Sequence, residues 1–170
     1  MASPPFCSVV GMACALAAAP VQATDFNLTG EVMIGTCDWS LGSADRLVML
    51  DPVAASQLPA SGGSHYVSFE LNLQGCSPAV RQATFRFNGS PDPDEPTHFR
   101  NAGDAAGVAV VLVSEDDRVI AADGSDSERA AAVTGKAARL RLRAGYWRLA
   151  GQTPGVGSVA ATATVTLRYE

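Results

Sequence analysis

The chain has 170 residues, 47% of them hydrophobic, and its 12 basic and 17 acidic residues give a net charge of −5. This length accommodates one domain. The acidic balance argues against nucleic acid and anionic lipid as partners, and no second long apolar run follows the first, so no membrane anchor is expected.

The chain opens with features of a secretory signal peptide. Phe6–Ala19 is mostly small and apolar, and Val21–Ala23 forms a small-x-small pattern that predicts cleavage after Ala23. The run is too short to span a membrane. It lacks the usual preceding basic residue, which leaves the true start codon open, and Cys14 leaves a lipid-attachment site as an alternative. Residues 1–23 are therefore predicted to be a signal peptide that is removed on export.

Residues 24–36 follow as an alternating strand pattern whose apolar face contains a glycine. A glycine weakens a strand and often marks the close approach of another backbone. On pattern alone, an ordinary first strand with a bulge glycine is the simpler interpretation. The apolar-face residues are Phe26, Leu28, Gly30, Val32 and Ile34.

Two cysteines remain after cleavage, Cys37 and Cys76. Two cysteines in an exported chain most simply pair, and closing the loop between them would contribute roughly 4 kcal/mol on the loop-entropy model. The alternative is a zinc site completed by His65 and His98. Neither histidine stands at ligand spacing, so a disulfide is predicted.

Turn signals such as Asn88-Gly89 and Asp123-Gly124 separate short β-rich runs, which predicts an all-β sandwich or barrel. Ser127–Ala138 lacks an apolar stripe and is predicted to be a surface loop or a single helical turn. Pro91–Pro96 is predicted to be a solvated loop, because its prolines cannot donate to a sheet. The predicted strands are Arg46–Leu50, His65–Leu73, Ala83–Asn88, Val108–Ser114, Arg118–Ala122, Ala138–Leu142 and Gly157–Glu170.

The last of these strands has the most regular alternation in the chain. Its even positions are mostly polar. Chain ends commonly fray, so a strand here needs a partner, and the pattern does not say whether that partner lies in the same chain. The odd positions are Val159, Ala161, Ala163, Val165, Leu167 and Tyr169.

No group of residues has the pattern of a catalytic or cofactor site. The acidic runs Asp92–Glu95 and Glu115–Asp117 are predicted to be solvated loops. Ser64 and His65 would point to opposite faces of a strand, and Asp123–Glu128 lacks the spacing of a calcium loop. We therefore expect no enzyme activity, no metal and no cofactor.

Four aromatic residues allow two interpretations. They could form a receptor-binding patch, but aromatic residues at strand spacing more often belong to the core. Trp147, beside Arg148 and near a loop, is the best candidate for an exposed one. The four are Trp39, Tyr66, Phe99 and Trp147.

Taken together, these motifs resemble, in order and spacing, a subunit of chaperone–usher fimbriae of the type 1/P-pilus family. The cysteine pair and the C-terminal motif, from Gly157 to the penultimate Tyr169, carry most of the resemblance. A more divergent spore-coat-like branch of such fibres matches the C-terminal motif less well. The other motifs are Leu28-x-Gly30-x-Val32, Phe69–Ser77, Phe85–Gly89, Ala106–Leu112 and Leu140–Tyr146.

The resemblance implies an immunoglobulin-like Greek-key β-sandwich that lacks its last strand and is completed in trans by a donor strand. Residues 24–36 would be the donor extension and residues 37–170 the pilin domain. The groove, which also binds the chaperone, would be formed by Gly157, Val159, Ala161, Ala163, Val165, Leu167, Tyr169 and Glu170, with the C-terminal carboxylate as a chaperone anchor.

The implied function is that of a structural pilus subunit that polymerises by donor-strand exchange and supports bacterial adhesion. Its implied partners are a periplasmic chaperone, an outer-membrane usher and other pilin subunits arranged head to tail. It would pass through the periplasm to a fimbria on the cell surface. The alternative is a minor tip or adaptor subunit that itself binds a host receptor or glycan.

Overall fold

The computed structural model describes residues 35–170. The predicted signal peptide and the proposed donor residues Phe26, Leu28, Gly30, Val32 and Ile34 lie outside the described residues. A short 3-10 turn at Ala55–Gln57 accompanies the strands. These are β1 (Asp38–Trp39), β2 (Gly62–Gln74), β3 (Gln82–Gly89), β4 (Val108–Ser114), β5 (Glu128–Ala132), β6 (Ala138–Arg148) and β7 (Ala163–Tyr169).

The strands form two antiparallel sheets, which confirms the predicted all-β sandwich. The larger sheet has the order β1-β2-β6-β4, and the smaller sheet has the order β5-β3-β7. Strands that are distant in sequence are therefore neighbours in both sheets, as expected of Greek-key connections. Within residues 35–170, no helix has the length and apolar character needed to cross a membrane.

The core lies between the two sheets and follows the period-two pattern of the strands. On β3, Phe85 and Phe87 are almost fully buried, whereas Arg86 between them is exposed. On β6, Leu140 and Leu142 face inward and the arginines beside them face solvent. This alternation fixes the register, because a shift of one residue would place arginines in the core.

The predicted disulfide is present. Cys37 and Cys76 are joined to each other in a disulfide bond, as predicted in preference to the zinc site considered above. Both cysteines are buried, and the Ser77 N–H donates to the Thr36 carbonyl at 3.1 Å beside them. The bridge thus fixes the start of the described chain to the turn that follows β2.

Strand β5 was not predicted, because Ser127–Ala138 was interpreted as a loop or helical turn. In β5, Arg129 and Ala131 are buried and their neighbours are exposed. The inward face therefore consists of an alanine and an arginine, which a search for apolar residues does not detect. The pairing with β3, from Gln82↔Ala132 to Arg86↔Glu128, supplies the long-range partner that makes this segment a strand.

Two predicted strands are wrong. Arg46–Leu50 forms no strand, because no described strand pairs with it. Arg118–Ala122 contributes a single bridge, Val113↔Val119, and then turns so that Ile120 enters the core.

Strand boundaries and one burial state also differ from the prediction: β2 already begins at Gly62, and β6 continues past Leu142 to Arg148. The last strand begins at Ala163 rather than Gly157. The Pro91–Pro96 segment is a loop, as predicted, but Asp92 within it is buried rather than solvated. The Asp92 side chain caps the turn by accepting the N–H of Asp94 at 3.0 Å and that of Glu95 at 3.3 Å.

Candidate binding groove beside the C-terminal strand

Strand β7 is paired on one side. It runs antiparallel to β3, from Ala83↔Tyr169 to Gly89↔Ala163, and no other strand of the described residues pairs with its opposite edge. An unpaired edge exposes backbone donors and acceptors that can add a further strand.

The hydrogen bonds at the end of β7 show which residues face the open edge. Gln82 and Glu170 exchange both backbone hydrogen bonds, at 2.9 and 3.0 Å. Along an antiparallel pair such positions alternate, so Arg168, Thr166 and Thr164 also bond to β3. The N–H and C=O groups that point toward the open edge are therefore those of Ala163, Val165, Leu167 and Tyr169.

The larger side chains at these odd positions point to the interior. Val165, Leu167 and Tyr169 are partly buried against the main core, and Val159 packs against a second cluster of Leu58, Val108 and Tyr146. By contrast, Ala161 and Ala163 are exposed. The structure therefore brings the predicted groove residues together along one edge, with larger apolar side chains at both ends and small ones between them.

The segment around Val48 and Leu50 contacts the same core. These two side chains are partly buried against it, whereas Leu47 and Met49 are exposed by 78% and 72%. Between residues 44 and 53, no backbone N–H donates to a backbone carbonyl of the described residues. The core is thus bordered by the open edge of β7 and by the 44–53 segment, whose backbone has no ladder partner among the described residues.

The C-terminal end of β7 is firmly held. The Tyr169 hydroxyl donates to the Cys37 carbonyl at 3.1 Å, close to the disulfide. The Glu170 backbone oxygen accepts the N–H groups of Arg81 and Gln82 at 2.6 and 3.0 Å. The penultimate tyrosine thus connects the last strand to the start of the described chain.

The segment that precedes β7 is held by a loop instead of a strand. The Asn101 side chain donates to the Ala105 carbonyl at 2.9 Å and accepts the Ala160 N–H at 2.9 Å. A Cβ on Gly157 would lie 2.5 Å from the Ala105 nitrogen, so this close approach requires glycine. Asn101 is a residue that the strand pattern does not predict, although its Asx turn to Gly103 is a usable local signal.

The four aromatic residues divide between core and surface. Phe99 is buried, and Trp39 packs edge-on against Phe85 with ring centroids 6.0 Å apart, as the core interpretation predicts. Tyr66 is 38% exposed, beneath the guanidinium of Arg143.

Trp147 is held by the loop that precedes Phe99. It stacks on His98 with ring centroids 3.9 Å apart, and its indole N–H donates to Glu95 Oε2 at 2.7 Å. Burial lowers the pKa of His98, and the nearby carboxylates of Glu95 and Asp92 partly oppose this effect. Trp147 therefore anchors a loop and is not presented as a free receptor-binding surface.

The shifted carboxyl groups do not resemble general acids. A general acid at neutral pH requires a raised pKa, which burial or a neighbouring carboxylate supplies. In the described residues, the carboxyl pKa values that depart clearly from normal are lowered, mainly by hydrogen bonds from serine or arginine side chains. These groups are Asp104, Asp116, Asp123 and Asp126. Residues 35–170 also contain no cluster of three or more potential metal ligands.

Comparison with known proteins identifies relatives over most of the chain. A family model described as fimbrial protein matches residues 26–170. The S-fimbrial protein subunit SfaG of Escherichia coli O6:K15:H31 (strain 536 / UPEC) is 32% identical over 93 residues. That alignment covers 53% of each protein, so the chain spans about half the length of this relative.

Two solved structures share the fold. The P pilus rod subunit PapA has a TM-score of 0.64 at 20% identity, with 79% of this chain and 99% of that one covered. A chain from a chaperone–usher pilus, solved in a study of rod uncoiling, has a TM-score of 0.66 at 21% identity, with 91% and 100% covered. At these identities, the likeness concerns the fold alone.

Proposed function

The chain belongs to the fimbrial protein family, whose members are structural pilins, and on that premise we propose that it polymerises by donor-strand exchange. The donor would be the N-terminal segment of another copy, with Phe26, Leu28, Gly30, Val32 and Ile34 on its inserted face. The acceptor would be the groove between β7 and the 44–53 segment. One observation supports this proposal: the residues of β7 whose backbone groups have no partner among residues 35–170 also pack their larger apolar side chains against the core.

The expected energies are sufficient for a stable fibre. Burial of Leu28, Val32 and Ile34 would contribute about 1.5–3 kcal/mol each. Ladder hydrogen bonds to the open edge would add about 0.5–1.5 kcal/mol apiece. Gly30 would lie where the groove is too shallow for a side chain, which would explain a glycine on the apolar face. Such a contact needs no covalent bond between subunits.

The proposed contact generates a filament. Donor and groove are different surfaces of one subunit, so each copy can accept one neighbour and enter another. Such a heterologous interface extends indefinitely unless its rotation closes a ring. A structural fibre would follow from such a contact, and we propose that this fibre supports adhesion.

An open apolar edge also requires protection before assembly, because it is a template for aggregation. We propose that a periplasmic chaperone occupies this groove during export and that an outer-membrane usher exchanges it for a donor strand. The chaperone would contact Gly157, Glu170 and the odd positions from Val159 to Tyr169. The mature fibre would lie outside the cell. A tip or adaptor role with its own receptor is the alternative, but among the four aromatic residues considered only Tyr66 is substantially exposed.

The test compares the thermal unfolding of two forms of the chain. One form begins at Gly35 and lacks the donor segment. The other also begins at Gly35 but carries residues 24–34 after Glu170, joined through a short flexible linker. Because the appended strand can fill the groove within one molecule, the second form is expected to be a monomer that melts tens of degrees higher. Each kcal/mol shifts the melting temperature of such a domain by about 2–8 °C.

A third form provides the matched control. It carries the same appended segment with Val32→Asp and Ile34→Asp, which places charges on the inserted face. Its melting temperature should return to that of the form without a donor. Equal melting temperatures for all three forms as soluble monomers would show that the sandwich needs no added strand.

A further inference from the structure

The ion pairs between arginines and carboxylates run mostly along the sides of the sandwich. Glu70 pairs with Arg139 and Arg141, and Glu128 lies near Arg86 and Arg168. The two ends of the sandwich differ from its sides. We call the end near Tyr169 the lower end and the end near Ala163 the upper end.

The lower end carries two cations without carboxylate partners. Arg81 lies there because its backbone N–H donates a hydrogen bond to the Glu170 backbone oxygen. Lys136 lies there because its backbone carbonyl accepts a hydrogen bond from the Cys76 N–H. Both are exposed, and neither has an ion-pair partner in the described residues. The Glu170 side chain pairs with Arg168 at 3.4 Å, which leaves Asp38 and the C-terminal carboxylate as the other acids at this end.

The upper end carries carboxylates without cationic partners. Asp104 accepts the Ser158 N–H at 2.8 Å, and Asp94 accepts the Gln152 side-chain amide at 2.8 Å. Both are exposed, and neither pairs with an arginine or lysine within residues 35–170. Arg148 lies nearby, but its guanidinium donates to the carbonyls of Pro59 and Gln152. Asp94 and Asp104 therefore remain at the upper end as carboxylates without a cationic partner among the described residues.

The direction of the donor strand brings these two ends together. The described chain begins at the lower end, where Cys37 accepts the Tyr169 hydroxyl. A donor strand antiparallel to β7 would leave the groove at the upper end, and antiparallel pairing is the more stable arrangement per residue. The sandwich domain of the donor subunit would then contact the upper end of the acceptor through its own lower end.

We propose, on the basis of the donor-strand exchange proposed above, that Arg81 and Lys136 of one copy dock electrostatically on Asp94 and Asp104 of the next. This contact orients the incoming subunit so that its donor segment faces the groove opening. Complementary charges of this kind act mainly on association rates, which rise by about 10–1000-fold at low ionic strength. Screening within about 10 Å at 0.1 M salt makes the effect dependent on salt.

The test uses charge reversal on the full chain, with polymerisation followed by light scattering. The lower-end variant carries Arg81→Glu and Lys136→Glu. The upper-end variant carries Asp94→Lys and Asp104→Asn, since asparagine can still accept the Ser158 N–H. A third variant combines all four changes, and Glu115→Lys on the side of the sandwich is the control. Near-identical circular dichroism melts of the variants show that the fold is retained.

At low salt, each single-end variant is expected to elongate about tenfold more slowly than the wild type, and the combined variant to recover most of the rate. At about 0.5 M salt, all five proteins should elongate alike. Equal rates at low salt, or a combined variant slower than either single one, would overturn the docking proposal while leaving strand exchange intact. A wild-type chain that forms no polymer, with a melting temperature unaffected by an appended donor, would contradict the proposed function itself.

Discussion

At the residue scale, a single asparagine organises the start of the last strand. Asn101 bonds to Ala105 and Gly103 in its own loop and to Ala160 and Ser158 across 57–59 residues of sequence. Its amide supplies both a donor and acceptors at this one point. The position of the groove relative to the rest of the sandwich therefore depends on a loop side chain.

Replacing Asn101 with alanine should lower the free energy of unfolding by about 1–2 kcal/mol, because several backbone groups lose their partner at a partly exposed site. Equilibrium unfolding in urea measures the change. The stability of Asn101→Asp should lie between those of the wild type and Asn101→Ala, since aspartate keeps the acceptor for the Ala160 N–H and loses the donor to the Ala105 carbonyl. Asn88→Ala, at an exposed position of β3, is the matched control and should have little effect. A loss no larger than that of the control would show that the loop is held by its backbone alone.

At the element scale, the sequence predicts a strand well where its two faces differ clearly in polarity. Ala83–Asn88 and Val108–Ser114 correspond closely to β3 and β4, and the alternation of the last strand is retained in β7. Segments whose state depends on distant partners were predicted poorly. β5 is a strand because β3 pairs with it, and Arg46–Leu50 is not one because no described strand does.

The same distinction applies to the candidate groove. Periodicity predicts which residues of the last strand face inward, because that property is local. It cannot predict Asn101 or the Tyr169 bond to Cys37, which join residues 59 and 132 positions apart. The identity of the missing partner strand is likewise not a local property.

Hydrogen exchange should divide the amides of β7 into two sets. In the isolated subunit, the N–H groups of Thr164, Thr166 and Arg168 should be protected, since they point toward β3. The N–H groups of Ala163, Val165 and Leu167 should exchange quickly, because they face the open edge. In assembled fibres both sets should be protected. Residue-resolved exchange by NMR or mass spectrometry measures this, and uniform protection of β7 in the isolated subunit would contradict an open edge.

At the scale of the whole molecule, a buried arginine joins the two sheets. Arg129 lies on β5 of the smaller sheet, and its side chain is 6% exposed. Its Nε donates to the Ser114 hydroxyl at the end of β4 at 2.8 Å, and Nη2 donates to the Val119 carbonyl at 2.7 Å. Asp126 balances the charge at 2.9 Å. This fork of donors holds the side of the sandwich formed by β4 and β5.

Replacing Arg129 with alanine should lower the free energy of unfolding by about 2–4 kcal/mol, because the buried Ser114 hydroxyl and the part-buried Val119 carbonyl lose their donor. Lysine should rescue only part of the loss, since it lacks the planar fork that reaches several acceptors. Arg86→Ala, on the adjacent strand, removes an exposed ion pair of 3.9 Å to Glu128 and should cost no more than about 1 kcal/mol. Urea unfolding with an unchanged m-value compares the three variants. If Arg129→Ala matched Arg86→Ala, the two sheets would be held by their apolar core alone, and the arginine on the inward face of β5 would have no role in joining them.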